Sequence, residues 1–259
     1  MNETLNPKPS GFTANGLHTW GILFVAAGAA GRALLQNAML HTHSLTGAEL
    51  FRLLETNPDA MGMLTLALIL EVIYACAAPI FAFLLVEGFC RTSNFKNYLL
   101  RVLGVAVLAE LPYNFSMTGK LLVMESRNPV FALAICLVVL YLYSRFSEKS
   151  LKNFGIKALV TAAAFVWMGM LSIDEGHCLL LLTVVIWAVR NRQNFRAIIG
   201  CTAAFACTIF SLYYIAAPFS FLAIHYYNGE KGTDNKLVNY LSYPVLLLAL
   251  GIAAMLMGK

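Results

Sequence analysis

Apolar runs of 18 residues or more recur along the whole of this sequence. Each can cross about 30 Å of hydrocarbon as a helix. In lipid only helices and closed barrels satisfy every backbone N–H and C=O, and the alternation of barrel strands is absent. Of 259 residues, 59% are hydrophobic and 12% charged, about half the charged share of a soluble domain. The expected fold is therefore all-α: a polytopic transmembrane helical bundle of about eight spans, with seven and nine both open.

A polar N-terminal tail covers 1–16, and a single transmembrane domain covers 17–257. Spans are expected at 17–40, 61–89, 98–111, 129–146, 156–173, 178–189, 197–227 and 238–257. The run 61–89 exceeds one upright helix, which predicts tilt and a kink at Pro79. The run 197–227 is also too long, and Pro218 is expected to divide it into a full helix and a short or re-entrant piece. Between the first two spans, 41–60 is amphipathic. Thr46 and Glu49 there have capping-box spacing, as in an interfacial helix or a solvated loop with one helical turn.

Lys and Arg concentrate in alternate loops: Arg91 and Lys96; Arg145, Lys149, Lys152 and Lys157; Arg190, Arg192 and Arg196. Positive-inside counting places these loops and the N-terminus in the cytoplasm of a multi-pass protein. Lys231 and Lys236 join them only if 197–227 crosses twice, so the C-terminal orientation stays open. In a membrane chain a net charge of +5 reads as orientation, and nucleic acid is not an expected partner. The lipid bilayer is. The six cysteines lack CxxC spacing and read as packing residues.

A charge buried in a span is expensive unless paired or hydrated, and is a functional candidate by default. Arg32 and Glu71 stand in the first two spans and can pair, either as a packing latch or around a substrate. The same argument pairs Glu87 with Arg101 at the cytoplasmic ends of consecutive spans. On the outer side His41, His43, Glu110, Asn114, Asn128, Asp174, Glu175 and His177 gather at helix ends. Asp174 and His177 are three apart and on one helical turn would face each other, a carboxylate orienting an imidazole as general-base work requires. Both occupy a short connecting loop, where exposed polar residues are expected in any case, and that is the favoured reading. His41 and His43 lack a third ligand at fixed spacing, and no metal is expected.

Read in order, Pro79-Ile80-Phe81-Ala82-Phe83-Leu84-Leu85-Val86-Glu87-Gly88-Phe89, Arg91-Thr92-Ser93-Asn94, Tyr98-Leu99-Leu100-Arg101 and Ala109-Glu110-Leu111-Pro112-Tyr113 resemble the TraX family. Weaker matches are Asn128-Pro129-Val130-Phe131, Asp174-Glu175-Gly176, Tyr227-Asn228-Gly229 and Tyr243-Pro244-Val245. These are bacterial integral membrane proteins named for conjugal pilin N-acetylation, similar to the wider class of transmembrane acyltransferases. The chain departs from the pattern at three places. The family's Asp-His pair falls on Gly28 and Ala29, its Gly-Arg on Tyr74 and Ala75, and a histidine on Leu246.

The resemblance implies a bacterial cytoplasmic (inner) membrane protein that moves an acetyl or longer acyl group from acyl-CoA to a peptide or small-molecule acceptor. It would use Arg32, Glu87, Arg101, Glu110 and Asn128 for substrate, and Glu71, Asp174 and His177 for chemistry. The missing Asp-His pair equally suits a catalytically degenerate relative that binds a ligand or a membrane protein partner. A transporter is a third reading, without the internal repeat many carriers show.

Overall fold

The computed structural model describes residues 11–123, 125–148, 150–233 and 236–258, with the side chains of 193–195 and 236 excepted. Residues 1–10 of the expected polar tail and Lys149 of the second basic loop lie outside the described residues. The fold is all-α. Among the described residues the only extended pairings are two isolated bridges, Phe12 with Tyr227 and Arg127 with Ile173. Five helices are long and apolar enough to cross a membrane, and shorter apolar helices pack among them.

Helix α1 (Ala14–Ala30) starts where the Thr13 hydroxyl accepts from the Gly16 N–H, 3.1 Å away. It continues without a break into nine residues of π-helix, Gly31–Met39. The amphipathic stretch then forms α2 (Gly47–Thr56) with both halves of its capping box made, and it buries none of its residues. So the helix, rather than the solvated loop, is what forms there.

Helices α3 (Pro58–Tyr74) and α4 (Ala77–Arg91) share the run expected to kink at Pro79. The break falls instead at Ala75 and Cys76. A proline lacks an N–H and its ring excludes the carbonyl four residues earlier. Restarting the helix at Ala77 puts Pro79 in a first turn, where neither deficit matters. Helices α5 (Phe95–Thr118), α6 (Val130–Arg145), α7 (Leu151–Met170) and α8 (Gly176–Val189) follow.

The long run 197–227 goes out and back. Helix α9 (Gln193–Ala206) turns through a 3-10 segment at Cys207–Ile209, and a second 3-10 segment, Leu212–Phe219, returns into α10 (Ser220–His225). The division therefore lies at 207–212, not at Pro218, which sits near the end of the return leg. Gly200 permits the two legs to touch: a Cβ there would lie 2.1 Å from the Phe221 ring. Helix α11 (Lys236–Met257) closes the chain. Taking α1 with its π-helical extension, α3 with α4, then α5 to α9, the return leg and α11 gives nine legs among the described residues. Nine was the upper bound of the sequence expectation.

The hairpin fixes the two ends of the bundle. Phe12 N–H donates to Tyr226 O at 2.9 Å, and Arg91 Nη2 donates to Gly229 O at 2.7 Å. Residues 226–231 thus join the chain start and the basic loops at one end, the near end. The far end carries 39–58, 118–123, 125–130, 170–176 and the end of α11. The apolar core lies between α4, α6 and α8, around Ile80, Leu137, Leu140, Leu180, Leu182 and Ile186.

Candidate functional site

Glu71 on α3 is 5% exposed. Its Oε1 accepts from Arg32 Nε at 3.1 Å and from Gln36 Nε2 at 3.0 Å. The π-helix makes this possible. Its i→i+5 winding brings residues four and five apart onto one face, so Arg32 and Gln36 share Glu71 while Asn37 Nδ2 donates to Met117 O of α5 at 2.7 Å. Arg32 Nη1 also reaches Met117 Sδ, 3.8 Å away. The expected Arg32–Glu71 pair is formed.

A second acidic group comes from the connection between α7 and α8. That loop is tied to the 126–128 segment: Arg127 N–H donates to Ser172 O at 2.9 Å, and Asp174 N–H to Arg127 O at 3.0 Å. Ser172 and Glu175 take left-handed φ values of 50° and 60°, a conformation that costs a non-glycine residue energy and persists only where its surroundings enforce it. The turn sends both carboxylates into the bundle. Asp174 accepts from Tyr113 Oη of α5 and from Ser126 Oγ, the latter at 2.6 Å. Glu175 accepts from Tyr214 Oη on the return leg.

The two groups are neighbours. Tyr74, the last residue of α3, lies within electrostatic reach of Glu175, Arg32, Asp174 and Glu71, and Tyr243 of α11 within reach of Tyr74 and Asp174. Three carboxyl groups, one guanidinium and the phenols of Tyr74, Tyr113, Tyr214 and Tyr243 therefore form one polar chamber. Tyr74 crosses to α1 over Gly28, where a Cβ would lie 2.3 Å from the Tyr74 Cβ. Two of the positions that depart from the TraX pattern are thus in contact.

A cavity of about 230 Å³ reaches this chamber. His18, Tyr98, Asn239 and Tyr240 line its near-end side, and Arg101 Nη1 donates to Tyr240 Oη at 3.3 Å beside it. Its middle is apolar, walled by Phe81, Leu85, Val102, Leu133 and Leu179. Tyr74, Glu175 and Tyr243 line its inner side. Such a shape accommodates an apolar chain with a polar group at each end.

Other expected partners are not brought together. Glu87 bonds Arg91, with Nε 2.7 Å from Oε1, and accepts from Tyr227 Oη at 3.2 Å. Arg101 turns to Asn97 O and Tyr240, so the Glu87–Arg101 pair is not made. Arg91 wins because it stands four residues on along the same helix. Asp174 and His177 do not meet either. Helix α8 starts only at Gly176, after the left-handed Glu175, so the two never share a helical turn. The His177 ring lies instead between Phe165 and Phe210, with centroids 4.1 and 5.6 Å away.

Glu110 and Asn128 bind each other. Asn128 Nδ2 donates to Glu110 Oε2 at 2.6 Å, and Arg127 Nη1 lies 3.4 Å from Glu110 Oε1. They brace the 126–128 segment, to which the loop that carries Asp174 is tied. His41 and His43 stack edge to face on a far-end turn. Among the described residues no three His, Cys, Asp or Glu side chains converge as metal ligands would. Sequence reasoning missed the tyrosines and the cavity-lining His18, because residues on five different elements converge only through packing.

A family model described as TraX protein matches residues 63–254, the greater part of the chain, beginning within α3. No curated protein and no solved structure matches.

Proposed function

Because the chain belongs to the TraX family, we propose that it transfers an acetyl or longer acyl group from acyl-CoA to a peptide or small-molecule acceptor, with the acidic chamber as reaction centre. The observation that carries this reading is the cavity that runs from the basic near end to the Glu175 carboxylate. The near end faces the cytoplasm of a bacterial inner membrane in this reading, and its Lys and Arg, with Arg101 at the cavity, attract the CoA phosphates. The thioester acyl group enters the apolar middle.

Glu175 takes a proton from the acceptor amine or hydroxyl, which attacks the thioester carbonyl. The carbonyl oxygen becomes an oxyanion that the Tyr74 hydroxyl can meet. Collapse breaks the carbon–sulfur bond, CoA leaves as the thiolate, and the proton on Glu175 returns to it or to water. Tyr214 holds the Glu175 carboxylate in place. Arg32 is the one guanidinium that offsets the chamber's negative charge. The base is thus assigned to Glu175 rather than to His177, whose ring is stacked away from the chamber.

A second reading has its own observation. Asp174, Glu175 and Glu71 all accept hydrogen bonds from within the chamber, and none bonds an imidazole. That suits a catalytically degenerate member which holds a ligand or a membrane protein partner without turnover. Mass spectrometry of folded protein given isotope-labelled acetyl-CoA or longer acyl-CoAs, with membrane extract as acceptor, separates the two. Label transfer that drops at least a hundredfold in Glu175→Gln, the usual range for losing a general base, supports the enzyme. Undiminished transfer by Glu175→Gln removes the assigned base. No transfer or hydrolysis with any donor, together with a co-purifying ligand, gives the second reading.

A further inference from the structure

We infer that the groove between α6, α7 and α8 at the near end is a binding site for one anionic phospholipid, with its phosphate between Lys157 and Arg190. This groove, about 1040 Å³ in volume, shares no lining residue with the cavity that ends at Glu175. Its α7 wall is Phe154, Ala158 and Ala162, each four after the last, with Phe165 and Val166 three and four beyond Ala162, so that they lie on one helical face. Most of that wall is uncovered: Phe154 is 70% exposed and Val166 57%. The facing wall is Val184, Trp187 and Ala188 of α8. Helix α7 is a candidate span with only 11% of its apolar window buried, so what lies along the groove is hydrocarbon.

The two cations decide which lipid. Arg190 sits 3.6 Å over the Trp187 ring, and the Lys157 ammonium 5.6 Å over the Tyr143 ring. The aromatic faces hold both heads beside the groove that they line, and Arg190 Nη1 donates to Trp187 O at 2.8 Å, leaving its other N–H groups for a ligand. No carboxylate lines the groove. Among the described residues, the three ion pairs involve neither Lys157 nor Arg190. Two cations that no carboxylate neutralises, above a mainly apolar slot where basic loops meet the membrane interface, complement a phosphate diester carrying two acyl chains. A zwitterionic headgroup would bring its own ammonium against them. The aromatic rings belong at this level too, since Trp and Tyr favour the headgroup zone.

The test is native mass spectrometry of delipidated full-length protein in neutral detergent, titrated with phosphatidylglycerol, phosphatidylcholine of the same chains, or glycerol phosphate. One phosphatidylglycerol should bind per chain, well ahead of phosphatidylcholine. Lys157→Gln with Arg190→Gln should weaken it about thirtyfold, about fivefold for each cation near an anionic headgroup. Lys152→Gln with Arg192→Gln, basic positions outside the groove at the same end, should leave it unchanged. Ala162→Phe fills the wall without touching charge and should weaken binding too, which keeps the test alive if the double variant does not fold. Equal binding of both lipids, full binding by the double variant, or glycerol phosphate binding as tightly as the lipid would each overturn the site.

Discussion

The α4–α6–α8 core and the acidic chamber are held together by opposite means. In the core Leu137, Leu140, Leu182 and Ile186 meet as apolar side chains on neighbouring helices. In lipid such contacts gain packing but little hydrophobic driving force, because the surrounding tails are as apolar as leucine. Each is modest and replaceable. In the chamber Arg32, Gln36 and Glu71 bond across helices, and so do Tyr113 with Asp174 and Tyr214 with Glu175. There each group protects another from facing hydrocarbon unpaired. The core sets the scaffold, and the chamber sets which helices must lie side by side.

The sharpest break in that contrast is Arg32→Ala. It leaves Glu71 buried with only the neutral donors Gln36 and Tyr213, and removing one partner of a buried pair costs about 3 kcal/mol even at the low end. Thermal unfolding in detergent should show it. Replacing both partners, Arg32→Met with Glu71→Leu, should restore most of the stability, since an apolar pair of similar volume leaves no orphaned charge. Leu182→Ala in the core should cost less, about 2 kcal/mol from the cavity it leaves. If Leu182→Ala costs more than Arg32→Ala, the division of labour described above is wrong.

Gly28→Ala sharpens the comparison at the seam between α1 and α3. Its methyl would meet the Tyr74 Cβ at 2.3 Å, an overpacking clash worth about 1–3 kcal/mol. Adding Tyr74→Ala should recover stability while removing the phenol that faces Glu175, so that ligand binding or transfer stays impaired in a folded protein. Tyr214→Phe comes next. Glu175 loses its donor, a cost of about 1–3 kcal/mol for an unsatisfied buried acceptor. Any transfer activity should fall further than the fold weakens, because the lost bond positions the assigned base.

The parts of the molecule that were legible in the sequence are those written in one dimension. Apolar runs gave the class and most helices, and Thr46 with Glu49 gave the start of α2. Arg32 and Glu71 announced each other because two opposite charges in adjacent spans have few other partners. The misses come from geometry that spacing does not encode. Pro79 displaced the break upstream into Ala75 and Cys76, and the left-handed Glu175 cut Asp174 off from the helix that carries His177. Tyrosines are ordinary interface residues of membrane helices, so nothing marks Tyr74, Tyr113, Tyr214 and Tyr243 as a group until the bundle is assembled.

The smallest effect belongs to α2, which lies outside both regions, buries none of its residues fully and starts on a complete capping box. Glu49 is exposed, and its carboxylate accepts from the Thr46 N–H and the Thr46 hydroxyl, each 2.8 Å away. The backbone bond first, then the hydroxyl, holds its pKa below the ordinary value of 4.5. A depressed folded pKa contributes stability that is fully present above the unfolded value and disappears as pH falls through the folded one. Hydrogen exchange at the first turn of α2 should therefore stay constant from neutrality down to about pH 5, then quicken relative to intrinsic rates as the pH drops further. Thr46→Ala keeps the backbone donor, so it should quicken exchange at every pH and shrink the step, whereas Glu49→Gln, which cannot titrate, should abolish it. The amides of α4 and α8, measured in the same experiment, should show no such step, because no carboxylate caps either helix. A step of equal size in α8 would mean that the acidic loop, and not the cap, is what the fall in pH releases.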